Sequence, residues 1–332
     1  MVTSSIASGD GDPEQVLDLL FAHRMNWIQD FLKGRKLAFA GDKSKLRDRV
    51  SGYLIDKNVV LADLVGLLDE IEGWGNQHIY LYNIADPLLR ELSAERKVRS
   101  ILRRRKCAKL LNQRLPLILP DEPTLSGVYW STARLRFVWV EQRIWRDAVP
   151  QEDYTEGDLE FDAYQRKQAR GIIAFDCDLI TGDAALLIQR LPSGNRYLEQ
   201  KQRFEKELER FMDLSHVQDF RISPAIRKID EDKAIRKRST ELQTQHGGRI
   251  VLSSKSRKAD AYRGDPTVRK ARKAVGHDAV GRAGNFYWPS NNGDDREIHV
   301  KLYAQDQRIG IFGECVEEEI RHVLSSIRGY CN

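Results

Sequence analysis

The sequence predicts an α+β protein built in several parts: a helical N-terminal domain, a central domain of mainly antiparallel strands and a C-terminal β-β-α unit. Apolar residues recur every three to four positions through most of the first ninety residues, which is the spacing of one helical face. From Val128 they alternate instead, through Trp130, Leu135, Phe137 and Trp139, and again at 172–175 and 184–189, as strands with one solvated face do. The last fifty residues show both periods in turn. Glu297–Tyr303 and Arg308–Phe312 alternate, and 314–327 then repeats at helical spacing through Val316, Ile320, Val323, Leu324 and Ile327.

A chain of 332 residues, 41% hydrophobic and 31% charged, is long enough for two or three domains, and its composition excludes widespread disorder. No stretch of eighteen apolar residues occurs, so no membrane partner is expected. Met1–Gln15 is polar and acidic, with neither the cationic start nor the apolar run of a secretory signal. The four cysteines, Cys107, Cys177, Cys315 and Cys331, form no paired ligand set and fit reduced thiols in an intracellular protein. Cytoplasm, nucleoid and nucleus all suit such a chain.

In chain order, Pro13 opens the first helix, with Val16, Leu19 and Leu20 inward. Ile28, Phe31 and Leu32 mark a second, and Gly41 allows a turn into a third, capped by Asp42 or Ser44 and carrying Leu46 and Val50. Val59–Ile71 is a fourth. Gly73–His78 interrupts the helices ahead of a short strand at 79–82, and Trp74 and His78 there read as an aromatic plug closing the domain. The helical domain is taken as 1–92.

A basic connector helix is expected over 93–116, with Val98, Ile101 and Leu102 as its stripe, before Pro116, Pro120 and Pro123 mark a boundary. The β domain spans 117–220, includes an acidic exposed excursion at 151–162, and is covered by a helix over 197–212. Residues 221–280 form a basic arm, partly flexible, in which sixteen Lys or Arg between 221 and 273 face six Asp or Glu. The β-β-α unit is 281–332. Its Glu317, Glu318 and Glu319 suit a helix start, where the dipole favours negative charge.

The pattern Leu37, Gly41, Lys43, Leu46, Arg49, Val50, from about Asn26 to Ile55, resembles the SAP motif of DNA-binding proteins. The resemblance implies DNA binding, with backbone contacts from Arg35, Lys43, Lys45 and Arg47. In layout alone, the helical domain, basic connector and sheet returning to a β-β-α unit are also similar to the kinetochore protein N family, whose members bind nucleosomal DNA.

Independently of resemblance, the cations cluster. Arg103, Arg104, Arg105 and Lys106 are consecutive, Lys109 follows, and Arg236, Lys237, Arg238, Lys255, Arg257 and Lys258 punctuate the arm. Such runs repel themselves unless a polyanion or counterions neutralise them. The expected partner is therefore nucleic acid, with double-stranded DNA favoured, and nothing in the sequence calls for a cofactor or metal.

Two other readings stand beside it. Exposed Trp130, Trp139 and Trp145 suit a protein partner in a larger assembly. Asp176, Asp178 and Asp183, with Glu199 and Lys201 beyond, are similar to the acidic set of Mg-dependent nucleases, although Glu199 and Lys201 open a helix where that chemistry uses a strand. No phosphate-binding loop, nucleophile elbow or paired zinc signature occurs.

Overall fold

The computed structural model describes residues 12–149, 152–156, 159–191, 196–254, 264–275, 279–291, 296–313 and 315–331. In chain order its elements are α1 (Pro13–Ala22), α2 (Met25–Gly34), α3 (Lys43–Ile55), α4 (Leu61–Trp74), β1 (Gln77–Ile84), α5 (Asp86–Leu92), α6 (Glu95–Arg104), β2 (Thr124–Trp130), β3 (Arg134–Ala148), β4 (Tyr154–Glu156), β5 (Leu159–Phe161), β6 (Tyr164–Asp178) and β7 (Asp183–Gln189). There follow α7 (Tyr197–Leu208), β8 (Val217–Asp219), α8 (Ser223–Glu231), β9 (Arg236–Gln243), β10 (Arg249–Ser253), α9 (Pro266–Val275), β11 (Val280–Pro289), β12 (Glu297–Tyr303), β13 (Arg308–Phe312) and α10 (Glu317–Cys331). The class is α+β.

Two compact units divide the chain: Met1–Glu72 with Leu115–Thr124 and Val140–Gly171, and Gly73–Arg114 with Leu125–Trp139 and Ile172–Asn332. The domain boundary expected at residue 92 thus falls after Glu72. In the first unit Asp12 caps α1 by accepting from the Glu14 N–H at 3.1 Å, and Asp42, rather than Ser44, caps α3 by accepting from Lys45 N–H at 3.0 Å. Gly41 between α2 and α3 has φ +134, a conformation that L side chains rarely adopt. Leu46 and Val50 then meet Val16, Leu20, Ile28, Leu32, Leu64 and Leu68 in one apolar core. Burying each such side chain is worth about 2 kcal/mol.

Glu72 and Arg170 form an ion pair of 2.9 Å in that unit, each side chain about 1% exposed. Arg170 also donates to the Pro116 carbonyl at 2.9 Å. The acidic excursion is the two-stranded β4–β5 hairpin, where exposed Tyr154 and Phe161 stack at 4.6 Å.

The second unit is built on an 11-stranded sheet in the order β10-β9-β11-β12-β13-β1-β7-β6-β3-β2, with β8 beside β1. The expected C-terminal unit is therefore joined to the central sheet: β13 pairs antiparallel with β1 through His78↔Gly310, while β1 pairs with β7 on its other edge. Tyr80 and Tyr82 of β1 point into a core with Phe137, Trp139, Phe175, Leu186, Phe204 and Leu208, closed by α5, α6 and α7. Leu81 faces the opposite side, towards Leu324 and Arg328 of α10. Arg328 fastens that helix by donating to the carbonyls of Tyr82 (2.7 Å) and Ala184 (3.0 Å) and to Asn83 Oδ1 (2.8 Å).

Three expectations need correction. The connector is not one helix: α5 and α6 break at Ser93–Ala94, and α6 ends when Lys106 turns to φ 58. The Lys106 and Cys107 N–H groups bond back to the Arg103 and Leu102 carbonyls at 3.0 and 2.9 Å, a reciprocal closure usually made with glycine. The basic arm is folded in its described residues. Alternating β9 and β10, joined by a turn with Gly247 at φ 82, extend the sheet, and α8 and α9 pack beside them. Trp139 is not exposed but 0% accessible, because it lies on the core side of β3. Trp130 is half-buried and donates to the Leu92 carbonyl at 2.9 Å. Trp145, also half-buried, donates to Asp147 at 2.8 Å.

Candidate nucleic-acid interface

The amphipathic sequence of α6 sends Val98, Ile101 and Leu102 into the core and everything else outward. Arg96, Lys97, Arg103, Arg104, Lys106 and Lys109 are exposed and have no ion-pair partner among the described residues. Arg99 pairs with Glu95 at 2.5 Å, and Arg105 donates through Nε to the Arg210 carbonyl at 2.6 Å. Glu209 and Asp213 help line a cleft of about 450 Å³ beside Arg104 and Arg105, yet neither reaches an ion-pair distance to them.

The SAP-like pair holds its cations differently. Arg47 bonds Glu14 and Asp18 of α1, both at 2.8 Å. Arg35 pairs with Asp63 at 3.0 Å and covers the Phe31 ring, Lys45 lies 3.5 Å from Asp42, and Arg49 donates to the Ala40 carbonyl. Lys43 is exposed at the start of α3 with no partner among the described residues.

Arg236, Lys237 and Arg238 lie on β9. Arg236 bonds Glu297 and sits over the Tyr287 ring at 3.8 Å, and Lys237 is buried and donates to the Asp232 carbonyl. Arg238 is exposed, 3.5 Å from the Tyr287 hydroxyl. Lys255, Arg257 and Lys258 fall outside the described residues.

Cross-strand pairing gathers a second group of residues on that part of the sheet. Tyr287 (β11), His299 (β12) and Phe312 (β13) are register neighbours, as are Asn285, Lys301 and Gly310. The Tyr287 and His299 rings stack at 4.9 Å and the His299 and Phe312 rings lie 5.1 Å apart. The opposite face of these strands carries buried Phe286, Trp288, Ile298, Val300, Leu302, Ile309 and Ile311, and α8 packs on that side of β11. The period-2 alternation of 280–303 was the available signal, but its outward aromatics escaped notice because they look like ordinary strand residues.

Cations lie near these rings, and burial sets their protonation. His78, in line with Gly310, stacks on Tyr197 at 3.7 Å and accepts from Arg308 Nη1 at 2.8 Å. Burial, helped by Arg308, Arg190 and Lys301, pushes its imidazole down to about 3, so it is neutral at pH 7. Burial also lowers His299, with Arg238, Lys301 and Arg236 adding to the effect.

Trp74, the expected plug, is buried under three guanidinium groups, Arg136 at 4.1 Å, Arg134 at 5.3 Å and Arg321 at 5.7 Å. It borders a cleft of about 300 Å³ with Asp176, Asp178 and Asp183. Those carboxylates are already engaged. Asp176 accepts from Arg134 at 2.5 Å and Arg321 at 3.0 Å, Asp183 pairs with Arg328 at 3.0 Å, and Asp178 caps its turn through the Ile180 and Thr181 N–H groups. Lys201 does not join them, since it is buried against Asp219 (2.8 Å) and Glu205 (3.2 Å) under the Tyr80 and Tyr82 rings. Glu199 is exposed on α7. Among the described residues no cluster of three or more His, Cys, Asp or Glu is placed to hold a metal ion.

Glu317 bonds Arg134 and Arg321, and buried Glu319 accepts from the Val316 N–H at 3.0 Å, as acids opening a helix do. Among the described residues no helix is long and apolar enough to cross a membrane. The described residues thus form an α+β fold in which the cationic helix α6 packs its apolar side into the core on one face of the 11-stranded sheet. No protein-family model matches the chain, and no curated protein does.

Proposed function

We propose that the chain is a non-enzymatic nucleic-acid-binding protein that holds duplex DNA through its phosphates. One contrast carries the reading: Arg134, Arg170, Arg272, Arg321 and Arg328 have carboxylate partners, whereas six cations within the short α6 segment have none among the described residues. Like charges this close repel one another, and condensing them on a polyanion relieves that repulsion while releasing the polyanion's counterions. The resemblance of 26–55 to the SAP motif supports the same reading, and of its expected contacts Arg35, Lys43, Lys45 and Arg47, Lys43 has no ion-pair partner among the described residues. Contacts of this kind position a duplex without reading its bases.

The test is duplex binding by mobility shift or anisotropy at two salt concentrations. Affinity should fall steeply with salt, and absence of binding at low salt sinks the proposal. A protein-interaction role has one observation in its favour, the exposed Tyr154, Phe161 and Tyr164 of the first unit. That role predicts that reversing the α6 charges leaves function intact.

A further inference from the structure

We infer that the outward face of β9, β11, β12 and β13 is a second, separate site that takes single-stranded nucleic acid, with a base stacked on Phe312 and phosphates on Arg238 and Lys301. The inference rests on the nucleic-acid reading above and on observations independent of α6.

The first is the shape of the face. Gly310 has no side chain, and a Cβ there would lie 2.9 Å from the Phe312 ring and 3.2 Å from that of His78. The Phe312 ring is therefore folded down along its own strand, over the glycine. A side chain held in this way is half-buried, with little rotamer freedom left to lose when a base stacks on it. α8 and the apolar core occupy the other side of β11, and at the β13 end the face is bounded by Tyr197 of α7, whose ring lies 3.7 Å from that of His78.

The second is charge. Among the described residues of these strands and their turns, the carboxylates are matched to arginines: Glu297 with Arg236, Asp306 with Arg308 and Glu241 with Arg249. That pairing leaves Arg238 and Lys301 without a carboxylate partner among the described residues, and Arg190 lies over Phe312 at 5.9 Å. Lys301 is the register neighbour of Gly310, the residue the Phe312 ring covers, and its ammonium lies over the Tyr303 ring at 4.9 Å. Burial is the main cause that lowers His78 and His299, and Arg308, Arg190, Lys301, Arg238 and Arg236 add to it.

The third is hydrogen-bonding capacity at base height. The Tyr287 hydroxyl and the Asn285 amide, whose Oδ1 meets His299 Nε2 at 2.6 Å, stand in the same rows as the rings. Flat rings flanked by cations favour unpaired bases, because every base has a π-face to stack while its sugar-phosphate runs along the basic edge. A duplex hides those faces, so it gains nothing from Phe312. A peptide would meet the same rings, but two unmatched cations two strands apart suit a repeating anion better than a chain of amides.

The test measures anisotropy of a labelled oligothymidine of about 20 nucleotides and of a duplex of equal length with the full chain, at low salt. Three variants are compared with the parent: Phe312→Leu, which keeps the apolar bulk and removes the π-face, and Arg238→Gln and Lys301→Gln, which remove surface charge. Phe312→Leu should weaken single-strand binding by between about 5-fold and about 100-fold, the span for loss of one base–aromatic stack. Duplex binding should stay within about twofold of the parent, as expected for phosphate contacts made elsewhere. The two Gln variants should each weaken the single strand and reduce its salt slope by about one unit. Single-strand affinity unchanged in all three variants overturns this inference while leaving duplex binding standing. A parent that binds neither form overturns the proposed function as well. A parent that binds the single strand in a Phe312-dependent way but not the duplex upholds the platform and removes the duplex reading.

Discussion

Helices α3 and α6 both carry closely spaced basic residues, yet they present very different charge. On α3, Arg47 is held by two carboxylates of α1, Lys45 by Asp42, and Arg49 by a carbonyl, so one cation in the row, Lys43, remains unmatched. On the α6 segment the ratio is reversed, and six cations are exposed without an ion-pair partner among the described residues. Counting Lys and Arg along a chain measures potential charge. What a polyanion meets is the remainder after internal neutralisation, and long-range partners such as Glu14 and Asp18 are invisible in a local window.

The largest expected effect sits at the fully matched extreme. Glu72→Ala strips the partner from buried Arg170 and should cost about 3–5 kcal/mol, read as a shift in the urea midpoint, because an uncompensated buried charge remains. A cost below about 1 kcal/mol would mean that solvent reaches the pair, as it does at exposed ion pairs.

Next comes the unmatched extreme. Replacing Arg103, Arg104, Lys106 and Lys109 together by Gln should lower duplex affinity by about 100-fold at low salt and flatten the salt slope by up to about four units, with stability unchanged. An unaltered slope in that variant would erase the functional side of the comparison.

His78 gives a smaller effect with a definite sign. Its folded-state value of about 3 lies below the ordinary 6.5, so the unfolded chain binds the proton first. Its contribution is fully present above about pH 6.5 and is lost as pH falls from there towards 3, amounting to on the order of 1–2 kcal/mol by pH 5. Denaturant titrations at pH 7 and pH 5 should show the loss in the parent and a smaller one in His78→Asn, which cannot take up that proton.

Smallest is Arg47→Gln. Its two ion pairs are with exposed carboxylates, so the change should cost about 0.5–1 kcal/mol of stability and move the duplex salt slope by less than one unit. A full unit of slope would place Arg47 among the phosphate contacts despite its pairing.

Much of the fold was legible locally. The start of α1 at Pro13, the cap at Asp42, offered beside Ser44, the inward Leu46 and Val50, the strand period around Phe137 and the acids opening α10 all follow from neighbours within a few residues. What escaped depended on distant partners. The junction of β13 with β1, the burial of Trp139 and the strand character of Arg236–Arg238 are decided by pairing across the sheet, and no window of sequence contains both sides. The break at Lys106 was hidden for another reason: a lysine occupies the left-handed position that normally advertises itself as glycine. For the surface, the α6 run was visible as charge, whereas the Tyr287–His299–Phe312 row is assembled from three strands.

The place of β1 also shapes how the molecule is made. It is the first strand of the sheet to be synthesised, yet it sits between β7 and β13, and its His78 waits for an Arg308 that lies 230 residues further along. At the ~5–20 residues per second of translation, that interval is about 10–50 s, during which the His78–Tyr80 part of one edge lacks its strand partner, although β8 reaches the Tyr82–Ile84 part earlier. Contacts this far apart in sequence slow spontaneous refolding in the same way.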